Sequence, residues 1–149
     1  MKRVLTCVVP FAMVTLLASM LSPPVVAANA PADRVVAMYF HRVPGCATCQ
    51  KMGGYSAEAV QDGFAKEIKQ GKIQFYVIDF ENPKNAALTN GYKVTGPTLI
   101  VARIVGNKVK QYKNLTEIWS KVGDKAAFLK YVRANVAAYQ GPESKTARR

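Results

Sequence analysis

Cys46 and Cys49 stand three residues apart in the run Tyr39-Phe40-His41-Arg42-Val43-Pro44-Gly45-Cys46-Ala47-Thr48-Cys49, between a short apolar stretch and the start of a helical pattern. A thiol in the first turn of a helix sits where backbone N–H groups and the helix dipole favour thiolate over thiol. The thiolate is the species that attacks a disulfide, so the chemistry this spacing allows is thiol–disulfide exchange. Cys46, first in the pair and beside Gly45, is the candidate nucleophile, and Cys49, one turn further in, is the candidate resolving thiol. His41 and Arg42 are auxiliary candidates, because an imidazole or guanidinium near the pair would supply a proton or a positive charge.

Thiols also bind metals. A closed zinc site takes about four ligands, and the chain has one histidine and three cysteines. Monovalent copper accepts fewer, softer ligands, so a copper(I)-binding carrier is the second reading and a non-catalytic partner-binding module the third. The first reading requires no metal and no cofactor. Covalent haem is ruled out, because Gln50 stands where that motif needs histidine. Met38 and Met52 read as core filler, Asp79 as the cap of the turn after its strand, and Trp119 as packing beneath the last helix.

The third cysteine, Cys7, falls in a stretch laid out like a cleaved secretory signal: Lys2-Arg3, an apolar run from Val4 to Leu21, and small residues around Ala27. Residues 1–27 are expected to be removed with Cys7, leaving no stable membrane anchor. A transmembrane helix is the competing reading, but Pro10, Ser19, Ser22 and Pro23-Pro24 interrupt it. The remainder would be exported, periplasmic or extracellular, where disulfides persist. There Cys46 and Cys49 have only each other to pair with, and so short a ring constrains little of the unfolded chain. That favours a redox-active Cys46–Cys49 disulfide over a structural staple. The partners expected are protein thiol or disulfide clients, or a redox partner protein. Lys and Arg number 21 against 9 Asp and Glu, for a net charge of +12. These basic residues are spread over helices, an apparent edge strand and the tail instead of being clustered with stacking aromatics, which argues against nucleic acid as a partner.

The elements that must hold the pair follow from periodicity. Val35 to Phe40 reads as a buried strand. A helical pattern runs from Cys46 through Met52 and resumes from Ser56 with Val60, Phe64 and Ile68; Gly53-Gly54 should kink or break it, with Ser56 capping the second part. Ile73 to Asp79 is a second strand. A short helix from Pro83, a strand from Pro97 to Val105, a Gly106-Asn107 turn of the type that begins with glycine, and a lysine-rich edge strand from Lys108 follow. Asn114 to Glu117 has the spacing of a helix cap, and Asp124 caps a last helix with Phe128, Leu129, Val132, Val136 and Tyr139 on one face. One domain over residues 33–139 is expected, with a disordered basic tail over 140–149.

This order, β-α-β-α-β-β-α with C-x-x-C at the first helix, resembles the thioredoxin fold: an α/β protein with a four-stranded mixed sheet flanked by helices. The second half carries the resemblance further, in Ile78-Asp79-Phe80-Glu81-Asn82-Pro83 and Tyr92-Lys93-Val94-Thr95-Gly96-Pro97-Thr98-Leu99-Ile100. It implies that Pro97 is the cis proline facing the cysteines, and that Gly96 and Pro97 shape the groove in which a substrate strand pairs with the backbone. Two departures are plain. Ala47-Thr48 replaces the usual Gly-Pro, and Phe40 stands at the offset of the buried aspartate that relays protons in thioredoxins. The chain is also similar to exported bacterial thioredoxin-like proteins labelled nitrophenyl compound nitroreductase subunits of the ArsF type, yet it carries no flavin or nicotinamide fingerprint.

Overall fold

Continuous apolar runs build the sheet first. In the computed structural model, which describes residues 31–141, β1 (Arg34–His41) is buried along its length and forms the centre of the molecule. The expected signal segment and the tail beyond residue 141 lie outside the described residues. β1 pairs in parallel with β2 (Ile73–Asp79) and antiparallel with β3 (Thr98–Val105), which continues antiparallel into β4 (Lys108–Asn114). The order β2-β1-β3-β4 is a four-stranded mixed sheet. Its parallel step needs a crossover, supplied by α1 (Ala47–Gly63) and α2 (Ala65–Lys69). A 3-10 turn over Pro83–Asn85 leads into α3 (Ala86–Gly91), and the chain closes with α4 (Ile118–Lys121) and α5 (Lys125–Tyr139). This is the α/β architecture that the resemblance implied.

Period two divides β1 between two cores. Val35, Ala37 and Tyr39 face α1 and α5, meeting Met52, Val60, Phe128, Val132 and Val136. Val36, Met38 and Phe40 face the other way, with Ile78, Ile100 and Ile104, and are covered in part by Phe80 and Tyr92 beside α3. Burial of each large apolar side chain contributes roughly 1.5–3 kcal/mol, so the two-helix face carries most of the stabilisation. No helix among the described residues is long and apolar enough to cross a membrane.

Three local expectations are corrected. α1 is not broken at Gly53-Gly54; it runs on to Gly63, and the interruption comes at Phe64 (φ −141°, ψ 33°). Packing is the cause: a Cβ on Gly53 would lie 2.9 Å from Cε1 of Tyr39, so glycine lets the helix close onto β1. Ser56 consequently sits buried in mid-helix, capping nothing, and its Oγ has no hydrogen-bond partner. The Gly106-Asn107 turn has positive φ at both residues, 56° and 60°, which makes it type I′, a turn whose twist matches the strands. Its Asn107 is held by Arg34, whose Nη1 donates to Asn107 Oδ1 at 2.9 Å. Asn114 does not cap α4, because strand pairing with Ile100 claims it; its Oδ1 accepts from the Thr98 hydroxyl instead. Asp124 does cap α5, accepting from Ala127 N–H at 3.0 Å.

Candidate functional site

The loop after β1 delivers Cys46 to the N-cap of α1 in extended conformation (φ −70°, ψ 160°). Its Sγ accepts a hydrogen bond from the Cys49 N–H at 3.1 Å, and its carbonyl accepts from the Gln50 N–H at 2.9 Å. Gln50 also reaches back, donating from Nε2 to the Gly45 carbonyl at 3.2 Å, which ties the loop to the first turn. Cys46 and Cys49 are disulfide-bonded, with Cα atoms 5.0 Å apart. Cys46 is exposed, whereas Cys49 is only 6% exposed. An incoming nucleophile therefore meets Cys46 Sγ first. When the bond opens, negative charge on that sulfur develops against the Cys49 amide and the positive end of a 17-residue helix.

Beneath the pair lies Tyr39, which residue counting had not singled out. Phe40, at the offset of the thioredoxin aspartate, points into the opposite core; Tyr39 is the residue on the α1 side. Its hydroxyl donates to the Cys49 carbonyl at 2.7 Å. Burial pushes its phenol from 10.0 up to about 12, so at neutral pH it is a fixed neutral donor. His41 stacks on Tyr39, ring centroids 5.7 Å apart and planes 15° from parallel. A Cβ on Gly45 would meet His41 Nδ1 at 3.3 Å and Cys49 Cβ at 3.6 Å, which places the imidazole along the thiol loop. Arg42, the other auxiliary candidate, is engaged elsewhere: it forms an exposed ion pair with Glu81 at 2.7 Å. Asp79 accepts from the Glu81 N–H at 3.0 Å, the turn cap that its position predicts.

The strand order, the C-x-x-C pair opening the first helix and the closing hairpin fit a thiol–disulfide redox role. The likeness is one of architecture. No protein-family model matches the chain, and no curated protein matches it. Among solved structures it is similar to the solution structure of a thioredoxin from Thermus thermophilus, at 19% identity over 78% of this chain and 84% of that one, with a TM-score of 0.41. The nitroreductase label finds no support in these matches.

Gly96 and Pro97 arrive at the same end of the sheet as the cysteines, since Thr98 opens β3 opposite Phe40 near the end of β1. The expected cis bond is not there. Gly96–Pro97 is trans, and among the described residues the cis peptide is Val43–Pro44. The trans form is the intrinsically favoured one, and the Pro97 carbonyl accepts from Trp119 Nε1 at 3.1 Å. Trp119 is itself a correction. Leu115 and Ile118 take the buried positions of that turn, and Trp119 stays 46% exposed instead of packing beneath α5. With Lys93, Thr95, Gly96 and Pro97 it lines a cavity of about 250 Å³. The i, i+3 spacing of Leu115 and Ile118 was the signal that leaves Trp119 off the buried side. Among the described residues no three of His, Cys, Asp and Glu are grouped to share a metal.

Proposed function

We propose that the protein is an exported thiol–disulfide oxidoreductase or redox carrier that cycles between the Cys46–Cys49 disulfide and the dithiol. The observation carrying this reading is the asymmetry of the pair, an exposed Cys46 sulfur at a helix N-cap bonded to a buried Cys49. In the reducing direction the Cys46 thiolate attacks one sulfur of a client disulfide; a mixed disulfide forms and the other client sulfur leaves as thiolate. Cys49, deprotonated, then attacks Cys46 Sγ, closing the internal disulfide and releasing the second client thiolate. Two electrons pass to the client, and the freed thiolates take up protons from solvent. Oxidation of a client dithiol is the same path reversed, and relative reduction potentials set the direction.

Export rests on the N-terminal signal pattern, and protein clients or a redox partner protein are the partners this chemistry implies. The test uses mature protein equilibrated with glutathione buffers, together with titration of the Cys46 thiol. Expected are a Cys46 pKa below the free-cysteine value, reduction of insulin disulfides, and a trapped mixed disulfide in Cys49→Ser but not in Cys46→Ser. A Cys46 thiol titrating at its ordinary value, with no reaction towards insulin, overturns the proposal. Cell fractionation tests the location separately.

A further inference from the structure

The exposed tryptophan beside the Gly96-Pro97 loop has no structural duty that its ring must be in water to perform. Its indole N–H is spent on the Pro97 carbonyl, which fixes the ring against the loop. The ring then forms one wall of the 250 Å³ cavity. Asn114 and Thr98, hydrogen-bonded to each other, line the same cavity. Lys93, exposed and held at φ 54°, brings positive charge to it. Just before Pro97 the backbone is unpaired: among the described residues neither Thr95 nor Gly96 makes a backbone hydrogen bond. All of this lies at the end of the sheet that carries Cys46.

From these observations we infer that Trp119 is a specificity-determining residue for the disulfide site, selecting clients with an aromatic or large apolar side chain next to the reacting cysteine. The client segment enters extended, pairs with the free Thr95–Gly96 backbone, and lays that side chain on the Trp119 ring. An acidic residue further along the segment faces Lys93. An extended strand fits better than a compact ligand, because the unpaired backbone offers hydrogen bonds that a strand satisfies in repeat and the cavity takes one side chain. The inference rests on the redox reading above, but its binding step does not require the reaction.

The chain has a single tryptophan, so its fluorescence reports this site directly. The oxidised protein is titrated with two serine-for-cysteine peptides, one phenylalanine-flanked and one glycine-flanked. Expected is a saturable change in emission with the first, at a Kd about tenfold lower than that of the second. The corresponding peptide disulfides are then compared in exchange kinetics. The ratio of kcat/KM for the phenylalanine-flanked over the glycine-flanked disulfide should fall about tenfold in Trp119→Ala and stay largely intact in Trp119→Phe, which keeps a ring but cannot bond Pro97. Equal Kd values in the wild-type protein, or an unchanged ratio in Trp119→Ala, overturn the inference. If both disulfides react without discrimination, the inference fails while the redox reading stands. If neither reacts but the serine peptides are still distinguished by a Trp119-dependent Kd, the redox reading fails and the recognition site stands.

Discussion

Two adjacent glycines, Gly53 and Gly54, should respond oppositely to alanine, and the sign of each is set by what its Cβ would meet. Gly54 is exposed with nothing within 4 Å of the added methyl, so Gly54→Ala should collect the helix-propensity gain of about 1 kcal/mol. Gly53→Ala collects the same gain but drives its methyl to 2.9 Å from Tyr39 Cε1 and 3.2 Å from Cδ1. The ring has little freedom to retreat, because its hydroxyl is bonded to the Cys49 carbonyl and its face is stacked on His41. Overpacking of this kind costs typically 1–3 kcal/mol. The net expectation is a loss of about 1 kcal/mol for Gly53→Ala against a gain of about 1 kcal/mol for Gly54→Ala. The separation of about 2 kcal/mol corresponds to a Tm difference on the order of 8 °C. Urea denaturation of the oxidised proteins, followed by far-ultraviolet circular dichroism at constant m, measures it. A Gly53→Ala protein as stable as Gly54→Ala would refute the argument that α1 is held against β1 through the Tyr39 ring.

Tyr39→Phe removes the bond to the Cys49 carbonyl and should cost about 1 kcal/mol at neutral pH. Because burial raises the folded-state phenol to about 12 from 10.0, the folded chain holds that proton more tightly than the unfolded one; stability is complete below pH 10 and declines as pH rises towards 12. The phenylalanine variant lacks this decline, so matching Tm profiles of the two proteins between pH 10 and 12 would count against the assignment. Ser56→Ala should stabilise by about 1 kcal/mol, since it removes a buried hydroxyl without a hydrogen-bond partner and improves helix propensity; a lower Tm would show that the hydroxyl is satisfied in solution. Asp124→Ala should lower stability by about 1 kcal/mol through loss of the α5 cap, whereas Asp124→Asn should lose far less.

The elements that local pattern dictates were all legible. A short continuous apolar run marked β1, β-branched and aromatic residues marked β2, and the Asp124 cap with its four-residue apolar repeat marked α5. Two of the misreadings share one physical origin. Gly53-Gly54 and Asn114 carry strong local signals, for a break and for a cap, and each was overridden by a partner distant in sequence: the Tyr39 ring in the first case, strand pairing with Ile100 in the second. Local propensities of about 1 kcal/mol decide an element only when no tertiary contact of comparable size opposes them.

The site divides along the same line. Cys46 and Cys49 are read directly because their chemistry depends on residues three apart on one helix turn, and the N-cap geometry follows from where that helix must begin after β1. Tyr39 was hidden by one residue of strand register. A count from Cys46 selects Phe40, but adjacent strand residues point to opposite faces, and the loop from Arg42 to Gly45 decides which face returns beneath the helix. Once β1 is seen to bury Tyr39 against α1, the floor of the site is a phenol that donates to the Cys49 carbonyl. A phenol held near 12 does not ionise in the range where thiols exchange. In the proposed cycle the Cys49 proton then goes to solvent or to His41, whose imidazole lies along the thiol loop. That makes the rate of the resolving step, not the pKa of Cys46, the quantity most sensitive to His41. In the proposed cycle His41→Ala should slow release of the mixed disulfide by Cys49 while leaving its formation near the wild-type rate, and release from His41→Ala at the wild-type rate throughout pH 6–8 would assign the proton to water.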